Sequence, residues 1–315
     1  MMLVVGVDAG GTASRAVVAT TDGTIVGRGS AGPGNPTSVG GPAAAEAIST
    51  AIRTALGIHG PASVIAGVAG VAGVAVLSDP TVAATFDDAW AALGLTCPFT
   101  VTGDAVTAFA AGVSAPGGAV LIAGTGAVAA RIENWHIQRT ADGLGWLLGD
   151  EGSGHWLGLQ AVRATARAWP ATATTPPPGL ATAVAAHAGA ATCDDLVTWA
   201  VRQPPSAFAA LAPLVCGCDD PLAVRLTTEA ATRLLATLSD LGPPDGPVVL
   251  AGGLLTGATR IRAELLTALP DAATARDPAA AAAWLALRRT LELDAGSAAD
   301  LHRRMLAQAP LSAGR

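Results

Sequence analysis

Carboxylates and glycine-rich turns recur at the ends of apolar segments in this chain. Asp8 ends the first apolar run and is followed by Gly10, Gly11 and Thr12 before the next apolar run begins. Glycine lets backbone N–H groups approach an anion closely, and the Thr hydroxyl is a further donor. An aspartate at such a strand end can bind Mg²⁺, usually through water. This segment predicts a phosphate site with a metal-binding carboxylate; the alternative is an ordinary hairpin turn.

A second glycine-rich turn lies in the middle of the chain. Gly124, Thr125 and Gly126 separate two apolar runs, as Gly10 and Gly11 do near the start. One such turn is weak evidence, but two at equivalent positions predict a pair of loops that hold one polyphosphate. In both places a strand follows the glycines, which excludes the dinucleotide-binding fold, where the glycines lead into a helix.

Asp104 is a candidate general base. It follows Gly103 at the end of a short apolar run and precedes a predicted helix. Ligands of α/β sheets bind at the carboxyl ends of strands, where such a carboxylate can take a proton. Asp is also a preferred helix N-cap, and the two roles are compatible.

The segment 143–154 combines five glycines with polar side chains. Among its residues are Trp146, Asp150 and Glu151, and Ser153 is placed to cap the helix that follows. Loops of this composition are seldom built for packing alone, and carboxylates suit hydrogen bonds to sugar hydroxyls. We expect Asp150 and Glu151 to bind a substrate; the alternative is a capped helix start with surface charges.

Two further positions give weaker signals. Gly252 and Gly253 follow a predicted strand, where backbone can approach a flat ring closely or simply turn into a helix. Asn35, in a loop rich in Gly and Pro, is either a turn residue or a ligand of a sugar hydroxyl. Taken alone, each position favours the turn.

The cysteines and His155 do not predict a metal centre. Cys216 and Cys218 lack the paired spacing and the added histidines of a zinc site, so buried thiols are expected. We expect His155 to pack against the preceding loop rather than to bind a metal.

The elements that position these residues alternate between strands and helices. Strands are predicted at 3–8, 14–20, 24–30, 64–68, 99–102, 118–123, 127–132, 135–139 and 248–251, with a glycine-rich loop at 67–73. Helices are predicted at 42–56, 79–93, from 104, at 153–169, through most of 180–241, near 259–269 and in the remainder. The strand–glycine turn–strand–turn–strand layout at 3–30 returns at 118–139, which indicates an internal duplication.

Composition narrows the possible functions. All 18 basic residues are Arg, so a catalytic lysine of the P-loop, Schiff-base or protein-kinase type is excluded. The net charge of −6 argues against a nucleic-acid partner. The first residues lack the basic segment of a signal peptide, and the longest uncharged stretch, 61–78, contains three glycines. With four Cys in 315 residues, we predict a cytoplasmic protein that does not bind membranes.

Five motifs in a fixed order resemble the N-acetylglucosamine kinase branch of the BadF/BadG group, in the actin-like ATPase superfamily. The motifs are residues 8–12, 104, 124–126, 149–153 and 252–253. The string Gly-Asp-Glu-Gly-Ser-Gly-x-Trp at 149–156 is the most specific part of the resemblance, which extends over nearly the whole chain.

The resemblance implies an α/β fold of two actin-like (ribonuclease H-like) domains with a central cleft for nucleotide and sugar. The N-terminal domain is expected at 1–115 and the C-terminal domain, with a helical insertion, at 116–290. A last helix at about 290–310 is expected to pack back on the first domain.

The resemblance also implies ATP and Mg²⁺ as cofactors. Residues 10–12 and 124–126 would be the two phosphate loops, 252–253 the adenosine loop, and Asp8 the metal-binding residue. Asp104 would be the base for the sugar 6-hydroxyl, and the sugar would be bound by Asn35, Asp104, Gly145, Asp150 and Glu151.

The implied activity is ATP-dependent phosphorylation of the 6-hydroxyl of an amino sugar, N-acetyl-D-glucosamine first, by a homodimer. Relatives usually have Ser where this chain has Ala127, and often Gly-Gly-Trp-Gly where it has Leu144 and, two places on, Trp146. Glucosamine or another hexose therefore stays open as the substrate. An ATPase activator of the same group and a non-catalytic sugar sensor also stay open as functions, although Asp8 and Asp104 argue against a sensor.

Overall fold

The computed structural model describes residues 1–243 and 245–308. The strands of this part are β1 (Leu3–Ala9), β2 (Ser14–Thr20), β3 (Ile25–Ala31), β4 (Val64–Val71), β5 (Phe99–Gly103), β6 (Gly118–Ala123), β7 (Ala127–Glu133), β8 (His136–Asp142), β9 (Val248–Ala251) and β10 (Ala273–Thr274). Its α-helices up to residue 202 are α1 (Pro36–Val39), α2 (Gly41–Leu56), α3 (Pro80–Ala92), α4 (Asp104–Ala110), α5 (Gly154–Ala168), α6 (Leu180–Ala188) and α7 (Cys193–Arg202). Those that follow are α8 (Pro205–Ala209), α9 (Ala212–Cys216), α10 (Pro221–Ser239), α11 (Gly253–Thr256), α12 (Arg260–Ala268), α13 (Pro278–Thr290) and α14 (Ala295–Leu306).

The described residues form two compact units. Unit 1 contains Met1–Gly117, Ile132–Ile137 and the described residues from Ala273 onward, and unit 2 contains Gly118–Arg131 and Gln138–Ala272. The domain boundaries predicted from the sequence, after residues 115 and 290, stay predictions. Residues 309–310 of the predicted last helix lie outside the described residues.

Two five-stranded sheets have equivalent topologies. The first has the order β3-β2-β1-β4-β5, and the second, read from its other end, has the order β8-β7-β6-β9-β10. In the first sheet β1 pairs antiparallel with β2 and parallel with β4; in the second, β6 pairs parallel with β9. The duplication predicted from the strand–turn–strand pattern is therefore confirmed.

Strand β4 is longer than predicted. The sequence predicted a strand at 64–68 followed by a loop, but Gly67 and Gly70 lie inside the strand. A side chain at Gly67 would overlap the Phe99 ring, and one at Gly70 would overlap Thr107. These glycines therefore allow close packing of a strand, where the sequence pattern indicated a loop.

Each unit has its own apolar core. In unit 1, α2 and α13 pack on the sheet, and Gly6 of β1 lies so close to the α13 backbone that a Cβ would overlap Ala279 and Ala283. In unit 2, buried residues of β6, β7 and β9 pack with those of the helices between residues 154 and 268. The short elements α1, α11 and β10 were not predicted, because two to four residues carry too little periodicity to be recognised.

Among the described residues, no single helix is both long and apolar enough to cross a membrane. The pair Pro205–Cys216 and Pro221–Ser239 meets the criteria of length and composition together, but it is bent by 114°.

Candidate active site

Asp8 and Asp104 lie at the same edge of the first sheet. Strands β1, β4 and β5 are parallel, so both residues are at carboxyl ends of strands, where ligands of α/β sheets bind. Asp8 pairs in register with Gly70 of β4, and Gly103, which precedes Asp104, pairs with Val71. One strand therefore separates the two residues, a backbone distance on the order of 10 Å.

Both carboxyl groups have raised pKa values. Burial raises the pKa of Asp8 from 3.8 to about 7, the negative charge of Asp104 adds to the rise, and Arg15 opposes it. The Arg15 guanidinium is 3.7 Å from Asp8, but its side chain is 64% exposed, so water screens its charge. Burial raises the pKa of Asp104 to about 6, partly offset by the backbone N–H of Ala105. A carboxylate with a pKa near 6 suits a general base at neutral pH.

Asp104 is not the N-cap of its helix. Gly103 is at the N-cap position and Asp104 is the first residue of α4. The N-cap interpretation of Asp104 is therefore wrong. A carboxylate in the first helical turn is favoured by the helix dipole, which limits the rise of its pKa.

The turn between β1 and β2 contains glycines that the fold does not require. The Gly10 N–H donates to Ala13 at 3.0 Å, and the Gly10 carbonyl accepts from Gly34 at 3.0 Å. Among the described residues, a Cβ at Gly10 would meet its nearest atom at 3.8 Å, and one at Gly11 would meet nothing within 4 Å. Neither residue has a positive φ. The strand–turn–strand arrangement predicted for the segment with Thr12 is confirmed, and its open backbone surface suits an anion.

The second turn is bound to the start of α5. The Gly124 carbonyl accepts from Gly154 at 2.8 Å, and the Thr125 carbonyl accepts from the N–H of His155 at 3.1 Å. Gly124, like Gly11, has open space where a Cβ would be. At Gly126, a Cβ would lie 2.7 Å from a carboxylate oxygen of Asp150.

Asp150 lies beside this second turn. Its Oδ1 accepts from the N–H of Ala127 at 3.0 Å, and its φ of 59° is in the left-handed region. Burial raises the pKa of Asp150, and the charge of Asp142 adds to the rise. The predicted sugar-binding residue and the predicted phosphate turn are thus joined directly within unit 2.

Asp142 holds this loop in place, a role that the sequence did not indicate. Its two carboxylate oxygens accept from the backbone N–H groups of Asp150 at 2.7 Å and Glu151 at 2.8 Å. Asp142 has a φ of 59°, next to Gly143 at 71°. A polar residue before a glycine in a loop was the available signal, since Asp and Asn tolerate left-handed backbone and bond to nearby N–H groups.

Glu151 pairs with an arginine. Its carboxylate accepts a hydrogen bond from Arg233, whose guanidinium lies 4.9 Å from the centre of the Trp156 ring. The role of Glu151 as a sugar ligand stays a prediction. The predicted Ser153 cap is confirmed, because its hydroxyl accepts from the N–H of Trp156 at 3.1 Å.

The middle of the loop exposes apolar side chains. Gly145 has a φ of 81°, and Trp146 is 54% exposed. The other large exposed side chains here are Leu144, Leu147 and Leu148. His155 is 4% exposed and lies edge-on to Trp146, with 5.9 Å between ring centres, so its predicted packing against the loop is confirmed.

The remaining predicted residues have clear local roles. Asn35 is the N-cap of α1 and its Oδ1 accepts from the N–H of Thr37 at 2.9 Å, as expected of a turn residue. Gly252 has a φ of 84° and lies against the Ala123 backbone, so that a Cβ would overlap it. Gly253 begins α11, and no atom of the described part of the chain lies within 4 Å of its Cβ position.

Histidine and cysteine do not form a metal centre in the part of the chain that the structure describes. No group of three or more His, Cys, Asp or Glu residues that could hold a metal ion occurs there. Cys216 and Cys218 are free thiols, but both are half-buried, whereas the sequence predicted buried thiols. Asp8 still suits a hydrated Mg²⁺ ion, which keeps most of its water ligands and whose charge would offset the burial and the Asp104 charge that raise the pKa of Asp8.

The chain is similar to several solved structures. A proposed N-acetylglucosamine kinase from Chromobacterium violaceum is 25% identical with a TM-score of 0.76, over 91% of this chain and 99% of that chain. A second such protein, from Porphyromonas gingivalis, is 21% identical with a TM-score of 0.74, over 93% of this chain and 100% of that one. A ROK family glucokinase from Streptomyces griseus, in complex with glucose and AMPPNP, is 19% identical with a TM-score of 0.53, over 96% and 99% of the two chains. The last two show the fold alone.

The fold is therefore the two-domain actin-like fold of sugar kinases. No curated protein matches the sequence. The model of the BadF/BadG/BcrA/BcrD ATPase family matches residues 5–215, which is more than half of the chain. The chain belongs to the BadF/BadG/BcrA/BcrD ATPase family.

Proposed function

We propose that the protein is an ATP-dependent kinase that phosphorylates the 6-hydroxyl of an amino sugar, with N-acetyl-D-glucosamine as substrate. The observation that carries the proposal is the pair Asp8 and Asp104 at the carboxyl edge of one sheet, with pKa values raised to about 7 and about 6. Membership of an ATPase family supports ATP as the phosphoryl donor. Likeness to the C. violaceum protein supports a sugar as the acceptor.

Asp104 is the base in the proposed reaction. It accepts the proton of the sugar 6-hydroxyl as the oxygen forms a bond to the γ-phosphorus of ATP. The bond between that phosphorus and the β–γ bridging oxygen breaks, and ADP leaves with the bridging oxygen. Phosphoryl transfer requires mainly positioning and charge stabilisation from the protein.

Backbone groups supply much of the phosphate binding. The chain has no Lys, so N–H groups of the turns 10–12 and 124–126 take that role, with Arg15 as a candidate side chain. The open Cβ positions at Gly10, Gly11 and Gly124 leave room for phosphate oxygens. Mg²⁺, when bound at Asp8, supplies positive charge that stabilises the polyphosphate.

The sugar is assigned to Asp150 and its loop. Asp150 lies in a buried environment that raises its pKa, and it is held by the N–H of Ala127 and by Asp142. A carboxylate in fixed position accepts hydrogen bonds from sugar hydroxyls with little loss of entropy. Asn35, Gly145 and Glu151 as sugar ligands, the homodimer and the cytoplasmic location stay predictions.

The test is ADP release from Mg²⁺-ATP with N-acetylglucosamine, glucosamine, N-acetylmannosamine, glucose or no sugar. We expect sugar-dependent turnover, and a loss in kcat of about 10²-fold or more in Asp104→Asn, because a positioned base contributes 10²–10⁴-fold. The matched control is Asp88→Asn, which removes an exposed carboxylate of unit 1 and should retain wild-type kcat.

Three results would contradict the proposal. ATP hydrolysis that no sugar changes would favour an ATPase activator, and sugar binding without turnover would favour a sensor. Near wild-type turnover by Asp104→Asn would refute the role of Asp104 as base.

A further inference from the structure

The His155 side chain is buried with one ring nitrogen unused. It is 4% exposed, and Nδ1 lies 3.0 Å from the Pro205 carbonyl oxygen, while the buried Nε2 has no hydrogen-bond partner among the described residues. A carbonyl only accepts, so Nδ1 carries the proton and donates it. In the tautomer with the proton on Nδ1, Nε2 is an acceptor, and no donor of the described residues pairs with it. A buried polar atom without a hydrogen-bond partner costs free energy, which indicates that a bound ligand supplies the donor.

Two aromatic rings lie beside the His155 ring. The His155 ring is edge-on to Trp146, with 5.9 Å between centres, and to Phe208, with 5.6 Å. Trp146 is 54% exposed and lies in the loop whose left-handed residues include Gly145. Trp146 is the more exposed of the two rings, since Phe208 is 7% exposed. A group that enters beside Trp146 meets one acceptor and two apolar rings.

His155 is also beside the assigned sugar site. Its backbone N–H donates to the Thr125 carbonyl at 3.1 Å, in the turn that packs against Asp150. The His155 ring is near enough to Asp150 to influence the pKa of that carboxyl group. A sugar bound by Asp150 would therefore lie close to His155.

We propose that His155 is a specificity-determining residue, whose Nε2 accepts a hydrogen bond from the N–H of a 2-acetamido group while Trp146 packs against the acetyl methyl. An acetamido group has one donor next to an apolar methyl, which matches one acceptor beside aromatic rings. A free amine or a hydroxyl satisfies Nε2 but has no methyl to cover Trp146. The inference rests on the proposed sugar kinase activity, for which His155 and Trp146 would favour acetylated substrates.

The experiment compares wild type with His155→Phe, His155→Gln and Trp146→Ala. Phe keeps a ring between Trp146 and Phe208 but removes the acceptor, whereas the Gln side chain restores an acceptor oxygen near the position of Nε2. Trp146 is half exposed, so its replacement leaves the core of the unit intact. His187→Phe is the matched control, because His187 is an exposed histidine that lies edge-on to Trp199 at 6.1 Å in the same unit.

The readouts are kcat/KM for N-acetylglucosamine, glucosamine and glucose, KM for ATP, and calorimetric binding of N-acetylglucosamine without ATP. We expect kcat/KM for N-acetylglucosamine to fall about 10-fold or more in His155→Phe, the effect of one lost hydrogen bond in a buried site. Glucose turnover should fall less than turnover of N-acetylglucosamine, because a 2-hydroxyl without the methyl contact to Trp146 is held less firmly at Nε2. KM for ATP should change less than about 3-fold, and Gln should recover part of the loss. Trp146→Ala should also reduce the preference for the acetylated sugar.

The outcomes separate the two proposals. Sugar phosphorylation with an unchanged preference in both His155→Phe and Trp146→Ala would overturn the role of His155 and leave the kinase intact. Equal losses for all sugars, together with a lower melting temperature, would assign His155 a structural role and also overturn the inference. A wild type that binds N-acetylglucosamine without phosphorylating it would refute the kinase, while the calorimetric effect of His155→Phe would still test the site. A wild type that binds no sugar would refute both.

Discussion

Replacing Asp104 by Asn should remove a cost in stability as well as a base. The pKa of Asp104 is raised from 3.8 to about 6, mainly because the charged form loses water on burial. A group whose pKa is higher in the folded state destabilises that state once it ionises. The cost is absent below about pH 4, grows as the pH rises through the window between the two values, and is complete above about pH 6. Asn, which never ionises, avoids this cost at every pH.

The size of the stability change follows from the rise in the pKa of Asp104. A rise from 3.8 to about 6 is roughly two units, and each unit corresponds to about 1.4 kcal/mol, which gives an upper limit of about 3 kcal/mol. Asp104 keeps partial contact with solvent, and the Asn amide must itself be buried, so we expect about 1–2 kcal/mol above pH 7. Because the charge of Asp104 also raises the pKa of Asp8, its removal should relieve part of the cost of ionising Asp8 as well.

The assay is urea unfolding of wild type, Asp104→Asn and the exposed control Asp88→Asn at several pH values from about 4 to 8. The difference between Asp104→Asn and wild type should be near zero at the lowest pH and reach its plateau above about pH 7. The control should stay within about 0.5 kcal/mol of wild type throughout. A pH-independent difference, or a loss of stability at pH 8, would refute the assignment of a buried, desolvated carboxylate to position 104.

Two other predictions test the loops and the carboxylates. Gly252→Ala should lower the free energy of unfolding by about 2 kcal/mol or more, because the φ of Gly252 is 84° and a Cβ would overlap Ala123. Gly253→Ala should leave the free energy of unfolding within about 0.5 kcal/mol of wild type and should weaken ATP binding. Unchanged ATP affinity of Gly253→Ala in titration calorimetry would refute the adenosine role of Gly253. The kcat/KM for the sugar should be constant above about pH 8 and should fall at lower pH. The fall is expected because Asp8, with a pKa of about 7, and Asp104, with a pKa of about 6, take up protons. A kcat/KM that stays constant down to pH 5 would show that neither residue takes part in its ionised form.

Much of the fold could be predicted because its signals are local. The strands around residues 8–12 and 124–126 follow from apolar runs broken by glycine turns, and the Ser153 cap follows from residue type and position. Strand β4 was cut short in the prediction because Gly67 and Gly70 read as loop residues. The continuation of β4 through these glycines depends on their close packing against Phe99 and Thr107, which are distant in the sequence.

The candidate site also combines residues that local sequence patterns predict with residues that only the tertiary structure reveals. Residue types and spacing predicted the carboxylates at 8, 104 and 150 as site residues, since glycine turns and strand ends are visible in the sequence. They did not identify Asp142, whose two hydrogen bonds hold the backbone of Asp150 and Glu151, or the Arg233 partner of Glu151. Those contacts join residues 8, 9 and 82 positions apart and depend on how the loop and helix α10 come together.

The sequence by itself determined the order of strands and turns, the absence of lysine and the family. The proposed use of backbone N–H groups for anions follows from the absence of lysine. The tertiary structure decided which carboxylates are buried and share an edge, and therefore the raised pKa values of Asp8 and Asp104. It also decided that His155 keeps an unused acceptor beside Trp146. Burial and the distance between charges depend on residues distant in sequence, so neither is encoded in a local pattern.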